Sequence, residues 1–227
     1  MSRIIVFGAG GRAGRAVTEE ALSRGHEVTA AVRDPDAHRT LERPGVSLVR
    51  GDVTAPEDVS LLAPGHEAAV HAVSPFSGPE AGFSTLDPEF FVKSADALLA
   101  GLEEAKVPSL LLIGLFANLA TPDGIPVMDD PALFPEHIRP FALAHTAGLE
   151  RLRAAGTGVR WLMLTPPAAL DPDGPRTGRY AFGGEALVDA PLSYADLAVA
   201  VVDEIESPTH RGRVSVFTPA AEAGRTT

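Results

Sequence analysis

Residues 3–14, with the sequence RIIVFGAGGRAG, decide the fold of this chain. The run from Arg3 to Phe7 is typical of a strand that is buried on both faces of a parallel sheet. A glycine cluster follows directly. Residues 12–24 then place apolar side chains at helical spacing, and Gly25 suits the position after a helix end. This order of strand, glycine-rich turn and helix predicts the first unit of an α/β sheet.

The glycine cluster fits a phosphate-binding motif in two registers, GxGxxA from Gly8 to Ala13 or GxxGxxG from Gly8 to Gly14. Either register allows a tight turn and a close approach of the main chain to a pyrophosphate. The helix that follows offers free N–H groups and the positive end of its dipole. A glycine-rich turn without a ligand is the alternative. The sequence therefore predicts a dinucleotide site formed by Gly8, Gly10, Gly11, Arg12, Ala13 and Gly14.

The end of the second predicted strand bears on the choice of dinucleotide. Arg33 stands nineteen residues after Gly14. An acid at this position usually binds the ribose hydroxyl of NAD, whereas an arginine accommodates the 2′-phosphate of NADP. Arg12 can share that phosphate, although two solvated arginines beside Asp34 are the alternative. We therefore expect NADP(H) to be preferred over NAD(H).

Two further strand ends carry expected cofactor contacts. Asp52 and Val53 follow the third predicted strand, where an aspartate can accept a hydrogen bond from the adenine amino group. Gly-Asp is also ordinary turn chemistry, so this signal is weaker. The small residues Ala72, Val73 and Ser74 close the fourth strand and suit the close passage of a cofactor.

The remaining pattern alternates strands and helices along the chain. It predicts a doubly wound parallel α/β sheet with helices on both faces, followed by short strands near Tyr180 and at Leu187–Val188. One domain over residues 1–218 is expected, with a small C-terminal lobe from residues 115–140 and 168–192 and a loose tail at 219–227. The predicted strands span 3–7, 27–32, 46–50, 68–73, 109–113, 159–165 and 213–217; the predicted helices span 12–24, a short stretch from 55, 88–106, 142–155 and 193–205.

Composition excludes several classes of function. The net charge of −11 makes nucleic acid an improbable partner, and the absence of cysteine excludes thiolate nucleophiles, disulfides and iron–sulfur clusters. The seven histidines show no ligand spacing, so no metal site is predicted. The longest apolar run, residues 110–117, is too short to span a membrane. We expect a cytoplasmic protein.

Seven blocks of the sequence resemble the NmrA-like atypical short-chain dehydrogenases, and within them the NAD(P)H-flavin reductase branch related to biliverdin-IXβ/flavin reductase. The resemblance implies a Rossmann-type fold that binds NADP(H), with Thr165, Pro166 and Pro167 near the nicotinamide and a small C-terminal lobe around a substrate cleft. By approximate alignment, His145 matches a histidine of biliverdin-IXβ reductase, which makes it the candidate catalytic residue, either to orient a substrate or to relay a proton. The blocks are residues 4–14, 25–33, 51–53, 142–153, 164–167, 176–180 and 193–198.

The acid/base pair of the short-chain dehydrogenases is missing. These enzymes use Tyr-x-x-x-Lys, but neither Tyr180 nor Tyr194 has a lysine four residues later. Reduction of a flavin or quinone fits this absence, because hydride passes to an electrophilic ring and the proton can come from solvent. Four candidate substrate-pocket residues could form an apolar wall for a planar ring, with ordinary packing as the alternative: Phe116, Met128, Phe134 and Phe141. Two basic candidates, His137 and Arg139, could contact an anionic substrate, with loop solvation as the alternative.

The sequence thus predicts an NADPH-dependent oxidoreductase that transfers hydride to a flavin, a quinone or a similar conjugated small-molecule acceptor. A flavin is expected as a substrate rather than as a tightly bound cofactor. The alternatives are a non-catalytic NADP(H)-sensing regulatory protein of the NmrA type, or a tailoring isomerase or epimerase on the same fold. A homodimer, or a monooxygenase or regulatory partner, is compatible with the sequence.

Overall fold

A computed structural model describes residues 1–75 and 86–220. Its main feature is an eight-stranded sheet in the order β3–β2–β1–β4–β5–β6–β10–β8. All neighbouring pairs are parallel except β8, which runs antiparallel to β10. A separate two-stranded sheet joins β7 to β9. The strands are β1 (Arg3–Phe7), β2 (Glu27–Val32), β3 (Val46–Arg50), β4 (Ala68–His71), β5 (Ser109–Ile113), β6 (Arg160–Thr165), β7 (Leu170–Asp171), β8 (Ala181–Phe182), β9 (Leu192–Ser193) and β10 (Gly212–Phe217).

Helices cover both faces of the large sheet. Helices α1 and α5 pack against each other on one face, while α3 packs against both α2 and α4 on the other. The strand order places β1 at the point where the chain changes its direction of winding, as in dinucleotide-binding sheets. The predicted doubly wound sheet is therefore confirmed. The helices are α1 (Arg12–Ser23), α2 (Pro56–Leu62), α3 (Phe90–Glu104), α4 (Arg139–Ala154) and α5 (Tyr194–Glu206).

The core lies in two layers because alternate residues of each central strand point to opposite faces. In β1, Ile4 and Val6 belong to the cluster under α1 and α5, whereas Ile5 and Phe7 belong to the cluster under α2, α3 and α4. All four side chains are buried. This burial on both faces is the physical reason why the strand is continuously apolar rather than alternating.

Most predicted elements agree with the structure to within a few residues, and the differences have local causes. Strand β4 ends at His71, two residues before the predicted end. Helix α4 begins at Arg139, three residues before the predicted start, because Pro140 fits the first turn of a helix. The prediction of a short strand at Leu187–Val188 was wrong. The Leu187 N–H donates a hydrogen bond to the Ala120 carbonyl next to an isolated bridge between Ala120 and Ala186, and these residues join no sheet.

The segment from 115 to 140 is built from three short 3₁₀ turns, at Phe116–Asn118, Val127–Asp129 and Glu136–Ile138. It contacts the second lobe segment through the Ala120 and Leu187 main chains. Residues 76–85, between β4 and α3, lie outside the described residues. So does the part of the predicted loose tail from residue 221 onward.

Candidate functional site

The turn between β1 and α1 is possible only with glycine at two positions. Gly8 adopts a φ of +85°, and a Cβ there would lie 2.7 Å from the carbonyl of Ala72 on the neighbouring strand. A Cβ at Gly14 would lie 2.1 Å from the Gly8 carbonyl oxygen. The N-cap residue Gly11 makes no side-chain cap, and no acid stands in the first turn of α1. The turn therefore presents main-chain N–H groups and a positive dipole end, which suits a pyrophosphate.

A cavity of about 600 Å³ opens on one side of this turn. It lies over the carboxyl ends of β1, β2, β3 and β4. Its polar lining residues are Arg33, Asp34, His38, Asp52 and Ser74. Arg33 is exposed and forms no ion pair with any described residue. The Asp52 carboxylate accepts hydrogen bonds from Thr54 through one oxygen, Oδ1. The cavity has the size and polarity for the adenosine half of a dinucleotide.

A second cavity of about 590 Å³ opens on the other side of the turn, under the carboxyl ends of β5 and β6. It shares Gly11, Ala72, Val73 and Ser74 with the first cavity. The two cavities are thus the two ends of one cleft along the carboxyl edge of the sheet, where open α/β sheets bind their ligands. The remaining lining residues of the second cavity are Arg12, Ala13, Phe91, Ile113, Gly114, Leu115, Phe116, Phe141, His145, Pro166, Pro167, Ala168, Leu170 and Tyr194.

The structure brings almost all of the expected cofactor residues to this cleft. Gly14 and Thr165 do not line either cavity. Gly14 instead lets α1 pack closely on the turn, and Thr165 is fully buried against Gly114 behind the cavity wall. The expected cofactor residues that do line the cleft are Gly8, Gly10, Gly11, Arg12, Ala13, Arg33, Asp52, Val53, Ala72, Val73, Ser74, Pro166 and Pro167.

The expected substrate residues divide into two groups. Phe116 and Phe141 line the second cavity. Met128 and Phe134 lie behind its wall in a small apolar cluster, where the Phe134 ring packs 5.7 Å from that of Phe116. Packing inside the lobe therefore places these two side chains one layer away from the cavity.

The two basic residues expected at the pocket also lie away from it. His137 is exposed, and neither it nor Arg139 lines a cavity. The Arg139 guanidinium forms an ion pair with the Asp129 carboxylate at 2.6 Å. Asp129 therefore takes the place of the anionic substrate that Arg139 was expected to contact.

His145 forms part of the inner wall of the second cavity and is buried. Burial lowers the pKa of its imidazole to about 4, which an interaction with the Ile113 main chain only partly opposes. The imidazole is therefore neutral at neutral pH and carries one donor and one acceptor nitrogen. Its ring packs 4.4 Å from that of Phe91, and Asn118 Nδ2 lies 3.5 Å from His145 Nδ1.

Three further residues belong to this region. Tyr194 starts α5, as its place in the 193–198 block suggests, and its side chain also lines the second cavity. His71 lies inside a predicted strand next to the expected cofactor residues, and it is buried close behind His145, as a smaller inner cavity shows. Sequence reasoning missed His38, whose ring lies against Gly10, so that a Cβ on that glycine would meet it at 2.5 Å. No local pattern marks His38, because a crossover of the chain brings it to the glycine turn.

Two sequence blocks that carry the resemblance meet in space and have a structural role. The Asp196 carboxylate accepts hydrogen bonds from the Thr177 and Gly178 N–H groups and from the Thr177 hydroxyl. The Ser193 side chain caps α5 by accepting a hydrogen bond from the Asp196 N–H. The Asp196 side chain, however, does not complete a reciprocal capping box, because it is engaged with the 177–178 turn.

Within residues 1–75 and 86–220, no group of three or more histidine or acidic residues is arranged to hold a metal ion. No helix in the same residues has the length and apolar character needed to cross a membrane.

The glycine turn, the free helix end and the cleft across the sheet edge define an NAD(P)-binding protein of the Rossmann-like α/β class. The chain belongs to the NAD(P)H-binding family, whose model matches residues 8–208. This match includes the phosphate-binding turn and strands β2 to β6 of the large sheet.

Individual relatives extend this assignment over nearly the whole chain. The uncharacterized protein YwnB of Bacillus subtilis (strain 168) is 33% identical over 230 residues, which cover 97% of this chain and 99% of that protein. SP1627 of Streptococcus pneumoniae TIGR4, provisionally named an NADH-flavin reductase, is similar in structure with a TM-score of 0.77 and 28% identity, covering 96% of this chain and 100% of that one. A protein of Bacteroides thetaiotaomicron, provisionally named an epimerase, has a TM-score of 0.81 and 26% identity, covering 97% and 99%.

Proposed function

We propose that this protein is an NADPH-dependent reductase that transfers hydride to a flavin, a quinone or a similar conjugated acceptor. The observation that carries the proposal is the second cavity. It adjoins the phosphate-binding turn, its walls are mainly aromatic and apolar, and none of its lining residues is a lysine. The provisional name of SP1627 agrees with this class of reaction.

The first cavity and the turn fit the cofactor. The glycine cradle leaves no room for a Cβ at Gly8, and its N–H groups are aimed where a pyrophosphate would lie. Arg12 and Arg33 line the two cavities on either side, and neither forms an ion pair with a described residue. A guanidinium matches the geometry of a phosphate group, so Arg33 would bind the 2′-phosphate. The Asp34 carboxylate accepts the Asp36 N–H, which satisfies part of its charge locally.

The second cavity fits a planar acceptor. Phe116 and Phe141 supply aromatic walls, and Pro166 and Pro167 close the side under β6. Bound nicotinamide would supply the hydride, and the residues of the cavity would hold the acceptor against it and exclude water. Because His145 is neutral, it would donate or accept one hydrogen bond to orient the acceptor rather than act as an imidazolium acid.

Carbonyl reduction by the short-chain dehydrogenase mechanism is disfavoured by the position of the lysines. The chain has only Lys93 and Lys106. Lys93 is half-exposed and pairs with Asp87 at 2.7 Å, and neither lysine lines the cleft. Tyr194 therefore has no lysine ammonium group beside it, which that mechanism needs.

The experiment is an absorbance assay of NADPH oxidation with FMN, riboflavin and a set of quinones as acceptors. We expect acceleration by at least one of them, and we expect Tyr194→Phe to retain it because the tyrosine hydroxyl is not an acid in this reaction. Loss of all turnover in Tyr194→Phe, with NADPH affinity intact, would instead indicate acid/base carbonyl chemistry. Tight NADPH binding without oxidation by any acceptor would refute the reductase and favour a dinucleotide-sensing protein.

A further inference from the structure

A buried histidine that the proposed reaction does not use lies behind the second cavity. His71 ends β4 in the middle of the sheet, between Phe7 on β1 and Leu112 on β5. Its side chain points to the face covered by α3 and α4, and only 4% of the residue is exposed. The neighbouring side chains on this face form an apolar cluster.

This position is unfavourable for an imidazole that has only a structural role. His71 Nε2 is buried and has no hydrogen-bond partner among the described residues. A buried polar atom without a partner costs stability, so an apolar side chain of similar size would suit the cluster better. Two other buried histidines contrast with it, because His26 bonds Glu206 and His66 bonds Thr29.

A small cavity gives the Nε2 atom a possible partner. It has a volume of about 10 Å³, close to the space that one water molecule needs. Its polar lining residues are His71, His145 and Ser94. The Ser94 hydroxyl donates to the Phe90 carbonyl, so its oxygen can still accept a hydrogen bond. Three polar groups are enough to hold a buried water.

His145 is shared by the two cavities. It lines the inner cavity together with His71, and it also lines the acceptor cavity together with Phe91 and Ile113. The Phe91 ring packs against both imidazoles, with ring centroids 4.4 Å from His145 and 6.4 Å from His71. A water in the inner cavity would therefore be separated from the acceptor by a single imidazole.

The Asn118 amide lies 3.5 Å from His145 Nδ1, at the long limit of a hydrogen bond, so this contact holds the imidazole only weakly. We propose that the inner cavity binds one water molecule that links His71 to His145, and that His71 is a positioning residue which, through this water, fixes the tautomer of His145 facing the acceptor. A neutral imidazole has one donor and one acceptor nitrogen, and the partner of one nitrogen decides the role of the other. Burial lowers the pKa of both rings to about 4, which keeps both neutral. Only the expected effect of His71 on turnover rests on the proposed function, whereas the water and the His145 tautomer do not.

The test compares His71→Leu with wild type in the full chain. In the nitrogen-15 spectrum of the imidazoles, with the His145 signals assigned through His145→Asn, we expect a single tautomer in wild type and a mixed or reversed one in His71→Leu. His71→Gln keeps a polar end for the water and should restore the wild-type tautomer. Turnover of His71→Leu should fall about tenfold, with the KM for NADPH unchanged, because misplacing a reactant by about 1 Å can cost about 10²-fold in rate and the loss of one orienting contact accounts for part of that.

His66→Leu is the matched control, because it removes a buried histidine that already has partners. We expect it to lower the melting temperature without changing the His145 spectrum. Identical His145 spectra in wild type and His71→Leu would overturn the inference. If wild type reduces no acceptor, the proposed function fails, but the spectra still decide the role of His71.

Discussion

Replacement of Gly14 by alanine tests whether close contact between α1 and the glycine turn builds the dinucleotide site. A Cβ at this position would lie 2.1 Å from the Gly8 carbonyl oxygen and 2.7 Å from the Ala9 Cα, both well inside the ordinary contact distance, which begins at 3.4 Å. Both atoms belong to the main chain and cannot rotate away. The Gly8 carbonyl also accepts the Gly11 N–H at 3.0 Å, so the start of α1 and the turn must move together.

The expected free-energy change is the balance of two opposing effects. Overpacking against the main chain costs about 3 kcal/mol. Alanine gains about 1 kcal/mol over glycine in a helix. Gly14→Ala should therefore lower the free energy of unfolding by about 2 kcal/mol, measured by urea denaturation. The displaced turn should also lose at least one charge-assisted hydrogen bond to phosphate, worth about 1.5 kcal/mol or more, and so raise the Kd for NADPH about tenfold.

Gly156→Ala is the control for this prediction. A Cβ at Gly156 meets no atom within 4 Å, and its φ lies outside the left-handed region. It should be neutral or stabilise by about 0.5 kcal/mol, through the unfolded chain. A Gly14→Ala protein that is as stable as wild type and binds NADPH as tightly would refute the reasoning from this contact.

Three further predictions address the cofactor, the lobe and the buried histidines. Arg33→Gln should weaken NADPH binding about tenfold or more and leave NADH binding unchanged, as measured by fluorescence titration. Arg39→Gln is the control and should change the binding of neither cofactor. Equal weakening of NADPH and NADH binding in Arg33→Gln would contradict a contact to the 2′-phosphate. Ser193→Ala removes the cap of α5 and should lower the free energy of unfolding by about 1 kcal/mol, whereas an unchanged urea midpoint would show that the cap contributes nothing. Because burial lowers the pKa of His71 and of His145 to about 4, the unfolded chain takes up protons first as the pH falls. The resulting stability is present above pH 6.5 and is lost between about pH 6.5 and 4, by about 3 kcal/mol for each of the two rings. A flat urea midpoint over that range would contradict this.

Local sequence carries enough information to predict the first half of the site. The phosphate-binding turn forms within one strand–turn–helix unit, so its glycines, Arg12 and Arg33 can be recognised from spacing alone. Asp52 and the small residues after β4 follow from the same rule, because the carboxyl ends of parallel strands meet at one edge of the sheet. All of these residues except Gly14 line the cleft.

The acceptor side is less accessible to sequence reasoning, because packing between distant segments decides it. Phe116 and Phe134 lie in the same loop and are both aromatic, yet one faces the cavity and the other lies in the cluster behind it. Arg139 was expected to be available for a ligand, and Asp129, ten residues away in the same segment, pairs with it. Spacing cannot distinguish these outcomes, since the 3₁₀ turns that orient the loop give no regular period.

The sequence by itself therefore determined that this chain forms a doubly wound sheet with a glycine-rich phosphate-binding turn, because periodicity and glycine placement are local properties. Only the tertiary structure decided which side chains surround the acceptor cavity, and that His71 lies behind His145 in an otherwise apolar layer. Those two histidines are 74 positions apart in the sequence. They meet because the His71 side chain of β4 points to the face of the sheet on which α4 packs. A contact made by such a long crossover leaves no pattern in the neighbouring residues.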